Sequence, residues 1–197
     1  MKRQHVPDVN TPDNYDAIYF GERTVQLMPS LYLSQLLPMI VKGGEVLDLG
    51  CGLGRYFPYL AGSKITGLDF TQKVLDQAKA DHADLNPTMT MQDIAKNGLD
   101  CYKDNTFDFI FCGEVIEHME NPQALIDEMY RVVKPNGIVI TTTPYQDRIV
   151  CAEHLWEYDY YDLAELYKAF KNVAVSRYYS VYEADWEHFI VLAQKPE

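Results

Sequence analysis

The ten residues Val46-Leu47-Asp48-Leu49-Gly50-Cys51-Gly52-Leu53-Gly54-Arg55 hold the densest chemistry in this chain. An apolar run ends in a carboxylate, and three glycines follow at alternate positions. The pattern reads as a buried strand breaking into a tight turn, where Gly50 and Gly52 let backbone approach a ligand that a Cβ would block. Phosphate and dinucleotide turns want G-x-G-x-x-G or a glycine loop ending in Gly-Lys-Ser/Thr. Here the third glycine comes one residue early, Arg55 stands where the dinucleotide pattern needs glycine, and Asp48 would repel phosphate. The turn therefore suits a small ligand bearing a cationic or amine group.

The elements that must position this turn follow a βα rhythm from Glu45. Apolar runs predict strands over 46–49, 64–69, 88–92, 107–112 and 138–143. Helices are expected over 55–60 and 72–83, the second capped by Thr71. A third starts at Asn121-Pro122, Asn as cap and Pro in the first turn, and stops before the turn Lys134-Pro135-Asn136-Gly137. Alternating strands and helices imply a parallel sheet covered on both faces. Right-handed crossovers then set every strand's carboxyl end on one rim. Asp48, Asp69, Asp93 and Glu114 all stand at or just past those ends, and four acids converging there say more than any one alone.

Outside this core, residues 1–14 read as a loose arm and 15–40 as helical pieces broken by Pro29 and Pro38. Residues 149–167 contain no Lys or Arg but five acids, interleaved with Trp156, Tyr158, Tyr160 and Tyr161. A helix is expected over 162–170, then two strands over 173–181 and 188–193 joined through Glu183-Ala184-Asp185-Trp186.

The 197 residues suffice for one α/β domain, and 47% hydrophobic with 23% charged residues is ordinary for a globular chain. A net charge of -12 argues against nucleic acid and anionic membrane partners. No run approaches 18 apolar residues, and no apolar stretch follows the basic start, so neither a membrane span nor a leader is expected. The four cysteines form no C-x-x-C pair. Free thiols in a reducing cytoplasm, and no metal site, are the expectation.

Taken together, the motifs resemble those of the class I S-adenosylmethionine-dependent methyltransferases, in the small-molecule, methyltransferase type 11-like branch. Asp48 to Gly54 is similar to the family's D/E-x-G-x-G-x-G motif, and Ile65-Thr66-Gly67-Leu68-Asp69 to its second strand with a ribose-binding acid. Phe107 to Cys112 with Glu114 to His118 is similar to the fourth-strand motif. Arg131 to Ile138 resembles the "L-K-P-G-G" turn, with Asn136 in place of the first glycine. Phe189 to Pro196 looks like the antiparallel last strand. The resemblance implies a three-layer Rossmann-like α/β sandwich with a seven-stranded, mostly parallel sheet whose last strand is antiparallel. It implies a single domain over 1–197: arm and cap helices at 1–40, cofactor core at 45–144, substrate loop and closing hairpin at 145–197. S-adenosyl-L-methionine is then the cofactor and S-adenosyl-L-homocysteine its product. Asp69 would hold the ribose hydroxyls and Phe70 would lie along the adenine. Asp93 and the Ile94 amide would meet the adenine amino edge. Gly50, Cys51 and Gly52 would approach the methionine part, Asp48 would act through that shell, and Cys112 and Gly113 would give backbone near the sulfonium.

The acceptor is less legible. His154 is the preferred acid–base residue because histidine titrates near neutrality and this one precedes a helix in a variable loop; Glu114, Glu117 and His118 are alternatives. No D/N-P-P-Y tetrapeptide follows strand four, so DNA-type methylation is disfavoured. Glu153-His154-Leu155-Trp156-Glu157-Tyr158 is similar to an "E-H-x-x-E-[FY]" stretch of relatives acting on sugars and related metabolites. The reading is methyl transfer to an oxygen or nitrogen of a small, neutral or cationic, sugar-like or other metabolite. A methyltransferase-like module that binds the cofactor without catalysis stays open, and the oligomeric state is unspecified.

Overall fold

The computed structural model describes residues 1–3, 10–20, 29–145, 153–180 and 186–197. Seven strands form one sheet: β1 (Glu45–Leu49), β2 (Lys64–Asp69), β3 (Thr88–Met91), β4 (Phe107–Gly113), β5 (Val133–Pro144), β6 (Lys171–Ser180) and β7 (Trp186–Gln194). Their order is β3-β2-β1-β4-β5-β7-β6. β1 to β5 pair in parallel, and β7 runs antiparallel to both neighbours, as the resemblance implies. The order reverses between β1 and β4, and the crevice outside that point is where open α/β sheets bind ligands.

The helices are α1 (Pro12–Phe20), α2 (Leu31–Ile40), α3 (Gln72–Asp81), the single turn α4 (Ile94–Asn97), α5 (Pro122–Val132) and α6 (Tyr160–Leu166). The central strands are buried on both faces, hence their continuous apolar runs. Leu47, Leu49, Ile110 and Val139 pack toward Leu125, Ile126 and Met129 of α5 and Leu163 of α6. Val46, Phe109, Phe111 and Ile140 pack toward Leu33 and Leu37 of α2 and Leu75 and Ala78 of α3. Fully burying one such side chain stabilises the fold by roughly 1.5–3 kcal/mol. α5 begins as expected: the Asn121 side chain accepts from the Ala124 amide, and Pro122 follows in the first turn. Asn136 sits at φ 62°, a left-handed conformation that Asn tolerates, so the turn forms without the glycine of the motif it resembles.

Several expectations change. The helix over 55–60 is one 3-10 turn, Phe57–Leu60, boxed between Gly54 at φ +72° and Gly62 at φ +89° with Pro58 at its start. Thr71 makes no side-chain cap bond; its amide instead donates to Asp69 Oδ1 at 3.1 Å. Pro38 lies inside α2 rather than breaking it, close enough to the end to forfeit little. α6 starts two residues early and stops four early, because Asp159 and Asp162 form a reciprocal capping box. The arm is also less loose than its composition suggests. Lys2–Arg3 pairs antiparallel with Trp156–Glu157, and the terminal ammonium pairs with the Asp162 carboxylate. The expected connection 183–186 and the start of the acidic stretch, 149–152, fall largely or wholly outside the described residues.

Candidate functional site

The glycine turn leaves β1 at the strand-order reversal, with Gly50, Gly52 and Gly54 at φ +72°, +53° and +72°. A Cβ on Gly50 would meet Val115 Cγ2 at 2.4 Å, so the turn packs directly against the segment after β4. The Gly50 and Cys51 amides donate to the Leu68 carbonyl at 2.8 and 2.9 Å, and the Gly52 amide donates to Asp69 Oδ2 at 3.1 Å. All three amides are spent inside the protein. The turn offers close approach rather than a phosphate cradle, in line with its spacing.

Asp69 is buried, and its carboxylate accepts from the Gly52 and Thr71 amides. Burial raises its affinity for a proton, and those two amides pull it back. Carboxylates accept about four hydrogen bonds, so room remains for a pair of hydroxyls. Asp48 is buried in β1, and burial pushes its carboxyl up to about 7 although Arg55 opposes this. Its Oδ2 has no partner, an unmet demand beside the turn. Asp93 is placed otherwise: it caps α4 by accepting from the Lys96 amide and pairs with Lys96 Nζ at 2.7 Å. The amide of Ile94 opens that turn. Phe70 meets the edge of Tyr15, ring centroids 5.1 Å apart. Cys112 is fully buried at the end of β4, with Gly113 closing the strand. The described cysteines Cys51, Cys101 and Cys112 are free thiols, as expected.

A second group gathers on the same rim. Glu114 takes φ +58°, a left-handed conformation costly for a side chain of its kind. Its Oε2 lies 3.1 Å from His188 Nδ1 on β7. Burial alone would raise its pKa, but His188, Thr142 and Arg55 hold it down to about 2, which makes it a poor base. Glu117 behaves oppositely three residues on. It is fully buried, and burial together with the Glu114 charge raises its pKa well above the carboxylate range. Thr143 donates to its Oε2 at 3.1 Å, and its Oε1 lies 3.7 Å from His118 Nε2. His118 packs edge-on against His154, centroids 4.9 Å apart. Burial, then His118, lowers His154 to about 4, so it is uncharged at neutral pH and a weaker base than an ordinary histidine.

The acidic, aromatic stretch serves mainly to hold this group in place. Leu155 donates its amide to the Glu117 carbonyl, Trp156 its indole to Met119, and Tyr158 its hydroxyl to Ile116. Of the residues in the sugar-enzyme-like stretch, three are thus anchors, and His154 faces the cluster. Helix α1 closes the site from above. Asn10 donates to the Glu153 carbonyl, Asn14 to the Glu153 carboxylate, and the Tyr15 hydroxyl sits 3.3 Å from His118 Nδ1. Tyr19 lies so close to Gly52 that a Cβ there would fall 2.5 Å from its hydroxyl.

Sequence reasoning missed Tyr19, His188 and the positive role of Arg55. Arg55 stacks 5.0 Å from the Tyr56 ring centroid, within electrostatic reach of Glu114 and Asp48, and offers a half-buried cation to a carboxylate-bearing ligand. The one available clue was an arginine in otherwise apolar company directly after the third glycine. Nothing in the local pattern marked Tyr19 or His188.

Residues 47–141 match a family described as a methyltransferase domain. Among curated proteins, the ubiquinone biosynthesis O-methyltransferase of Coxiella burnetii is 34% identical over 135 residues, which is 64% of this chain and 56% of that protein. The chain thus spans about half the length of the curated relatives it matches. Haemonchus contortus phosphoethanolamine N-methyltransferase 2, solved with S-adenosyl-L-methionine, superposes with a TM-score of 0.70 at 18% identity, over 95% of this chain and 58% of that one. The cyclase SpnF superposes with a TM-score of 0.68 at 20% identity, over 84% and 81% of the two chains. The same architecture thus carries more than one reaction.

Proposed function

We propose, from the methyltransferase-domain match over residues 47–141, that this chain is a class I S-adenosylmethionine-dependent methyltransferase that transfers a methyl group to an oxygen of a small, neutral or cationic metabolite, leaving S-adenosylhomocysteine. The observation that carries this reading is the glycine turn at the strand-order reversal, with the Asp69 carboxylate 3.1 Å from the Gly52 amide. The residues fit the cofactor. Asp69 keeps acceptor capacity for two ribose hydroxyls, Asp48 holds an unpartnered oxygen beside the turn, and Arg55 supplies a cation for the methionine carboxylate. Phe70 flanks the adenine. Asp93 receives the adenine amino group by releasing its exposed partner Lys96, with the Ile94 amide beside it.

The bound cofactor supplies a methyl group on a sulfonium, open to in-line displacement. The chain's own tasks are alignment and removal of the acceptor proton. Glu114, ionised and tied to His188, sets a negative potential that favours the sulfonium in the ground state and is a positioning residue. His154, buried and uncharged, is a weak base and takes the proton as the new O–C bond makes the hydroxyl oxygen cationic and acidic. Tyr15 and Tyr19 of α1 shield the cleft from water. The O-methyltransferase relatives favour oxygen as the acceptor atom, and the lip of acids and aromatics favours an acceptor without phosphate.

Calorimetry with S-adenosylhomocysteine tests the cofactor half, with a dissociation constant in the low micromolar range or tighter expected. A screen of hydroxylated metabolites with S-adenosylmethionine then tests the transfer. Absence of binding overturns the reading; binding without any methylated product leaves a cofactor-binding module.

A further inference from the structure

Glu117, His118 and His154 present one ligand atom each, and these atoms all lie within 4.8 Å of one another. Among the described residues, no other group of His, Cys, Asp and Glu side chains is so placed. Each of the first two is held by an outer partner. His118 Nδ1 lies 2.8 Å from the Glu153 carbonyl, which can only accept, so Nδ1 carries the hydrogen and Nε2 keeps its lone pair. Thr143 donates to Glu117 Oε2 and turns Oε1 inward. Glu117 Oε1 is fully buried with no hydrogen-bond donor, and it faces His118 Nε2 at 3.7 Å. His154 makes no hydrogen bond among the described residues, and its ring lies edge-on to His118. Three electron-pair donors thus converge on one point in a water-poor place. An imidazole that donates its far nitrogen to a carbonyl and a carboxylate oriented by a hydroxyl are the outer contacts that metal ligands use.

We propose that Glu117, His118 and His154 bind one divalent cation of the borderline first-row class, such as Zn²⁺ or Mn²⁺, and that this cation holds the acceptor hydroxyl. Two imidazoles and one carboxylate select such ions over Mg²⁺, which prefers oxygen ligands and retained water. Bonds of about 2.1 Å set tetrahedral ligands about 3.4 Å apart, so side-chain rotations of about an ångström close the site. Three protein ligands leave a position open for substrate. Glu114 adds a negative charge nearby, and a cation would displace the proton that burial favours on Glu117, so binding would release it. The role in catalysis rests on the methyl-transfer reading; the binding itself does not. In the cation-loaded protein the metal acidifies the bound hydroxyl and its proton leaves to solvent, replacing direct abstraction by His154. The oxygen lone pair then forms the new O–C bond while the C–S pair returns to sulfur.

The test uses the whole chain, stripped with a chelator and titrated calorimetrically with Zn²⁺, Mn²⁺ and Mg²⁺ alone. One equivalent of Zn²⁺ or Mn²⁺ should bind with a micromolar or tighter dissociation constant, and Mg²⁺ much more weakly. His118→Ala and His154→Ala should each weaken binding by about 100-fold or more, above the range for outer-contact losses. Co²⁺ loaded in place of Zn²⁺ should show visible absorption bands that His154→Ala abolishes. Glu117→Gln disturbs a fully buried residue, so S-adenosylhomocysteine binding is measured on every variant as a folding control. No stoichiometric cation on the native chain, or undiminished binding in both histidine variants, overturns the site. Cation binding without S-adenosylhomocysteine binding would leave the site standing and remove the methyltransferase reading; the reverse result removes the site alone.

Discussion

The two halves of the rim are built in opposite ways. The cofactor half draws mainly on one stretch of chain, from Asp48 to Ile94, joined by Cys112 and Gly113 at the end of β4. The acceptor half joins segments far apart in sequence: Asn10 to Tyr19, Glu114 to His118, Glu153 to Tyr158, and His188. Asn14 reaches across 139 positions to Glu153, and His188 across 74 to Glu114. The cofactor half spends its backbone amides on rigidity, and both halves keep a buried carboxylate oxygen without a partner, on Asp48 in the one and on Glu114 and Glu117 in the other. A site that meets one invariant ligand can be hard-wired locally. A site that meets a variable partner is assembled from pieces that change independently.

That division predicts that each half can be damaged without the other, and the largest effect should come from the acceptor side. His154→Ala should lower kcat by about 10²- to 10⁴-fold, the usual loss when proton handling fails, while S-adenosylmethionine affinity stays within about twofold. A coupled loss of affinity, measured by calorimetry, would break the comparison.

Next in size is a pH effect. His154 is held at about 4 when folded, against 6.5 for an ordinary histidine, so it costs nothing above pH 6.5 and opposes folding increasingly as pH falls toward 4. Relative to His154→Gln, the native chain should lose about 2–3 kcal/mol between those limits. Urea unfolding at pH 7 and pH 4.5 checks this, and parallel curves for the two proteins would show His154 to be solvated.

Asp69→Ala should weaken S-adenosylhomocysteine binding by about 2 kcal/mol, roughly 30-fold, as ribose hydroxyls lose a charged acceptor. The pH profile assigned to His154 should not move. An unchanged dissociation constant would transfer the ribose contact elsewhere.

The smallest effect sharpens the comparison within the cofactor half. Asp93→Ala should destabilise the chain by about 1 kcal/mol through loss of the α4 cap, and Asp93→Asn by under about 0.5 kcal/mol because Asn caps nearly as well. If Asp93→Asn nevertheless weakens cofactor binding, the residue meets adenine as well as capping α4.

Much of the architecture was legible because it follows from local rules. The apolar runs at 46–49 and 107–112, short and bounded by turn signals, read as strands of a covered sheet, and Asn121-Pro122 starts a helix by supplying one acceptor and removing one donor. Asp69 could be placed beside the turn because strand ends in a parallel sheet share one rim. Errors came where a neighbour outbid a local preference. Thr71 yielded to the Asp69 carboxylate, and the 55–60 helix to two glycines and a proline.

By itself, then, the sequence determined the sheet, the glycine turn and the acids at the strand ends, since periodicity and backbone sterics act over a few residues. Tertiary structure alone decided that Glu114 is ionised while Glu117, three positions on, is driven toward its protonated form. It also decided that Glu117, His118 and His154 face one point. Burial and charge coupling set both outcomes. They depend on which distant segments pack against a side chain, and no spacing along the chain encodes that.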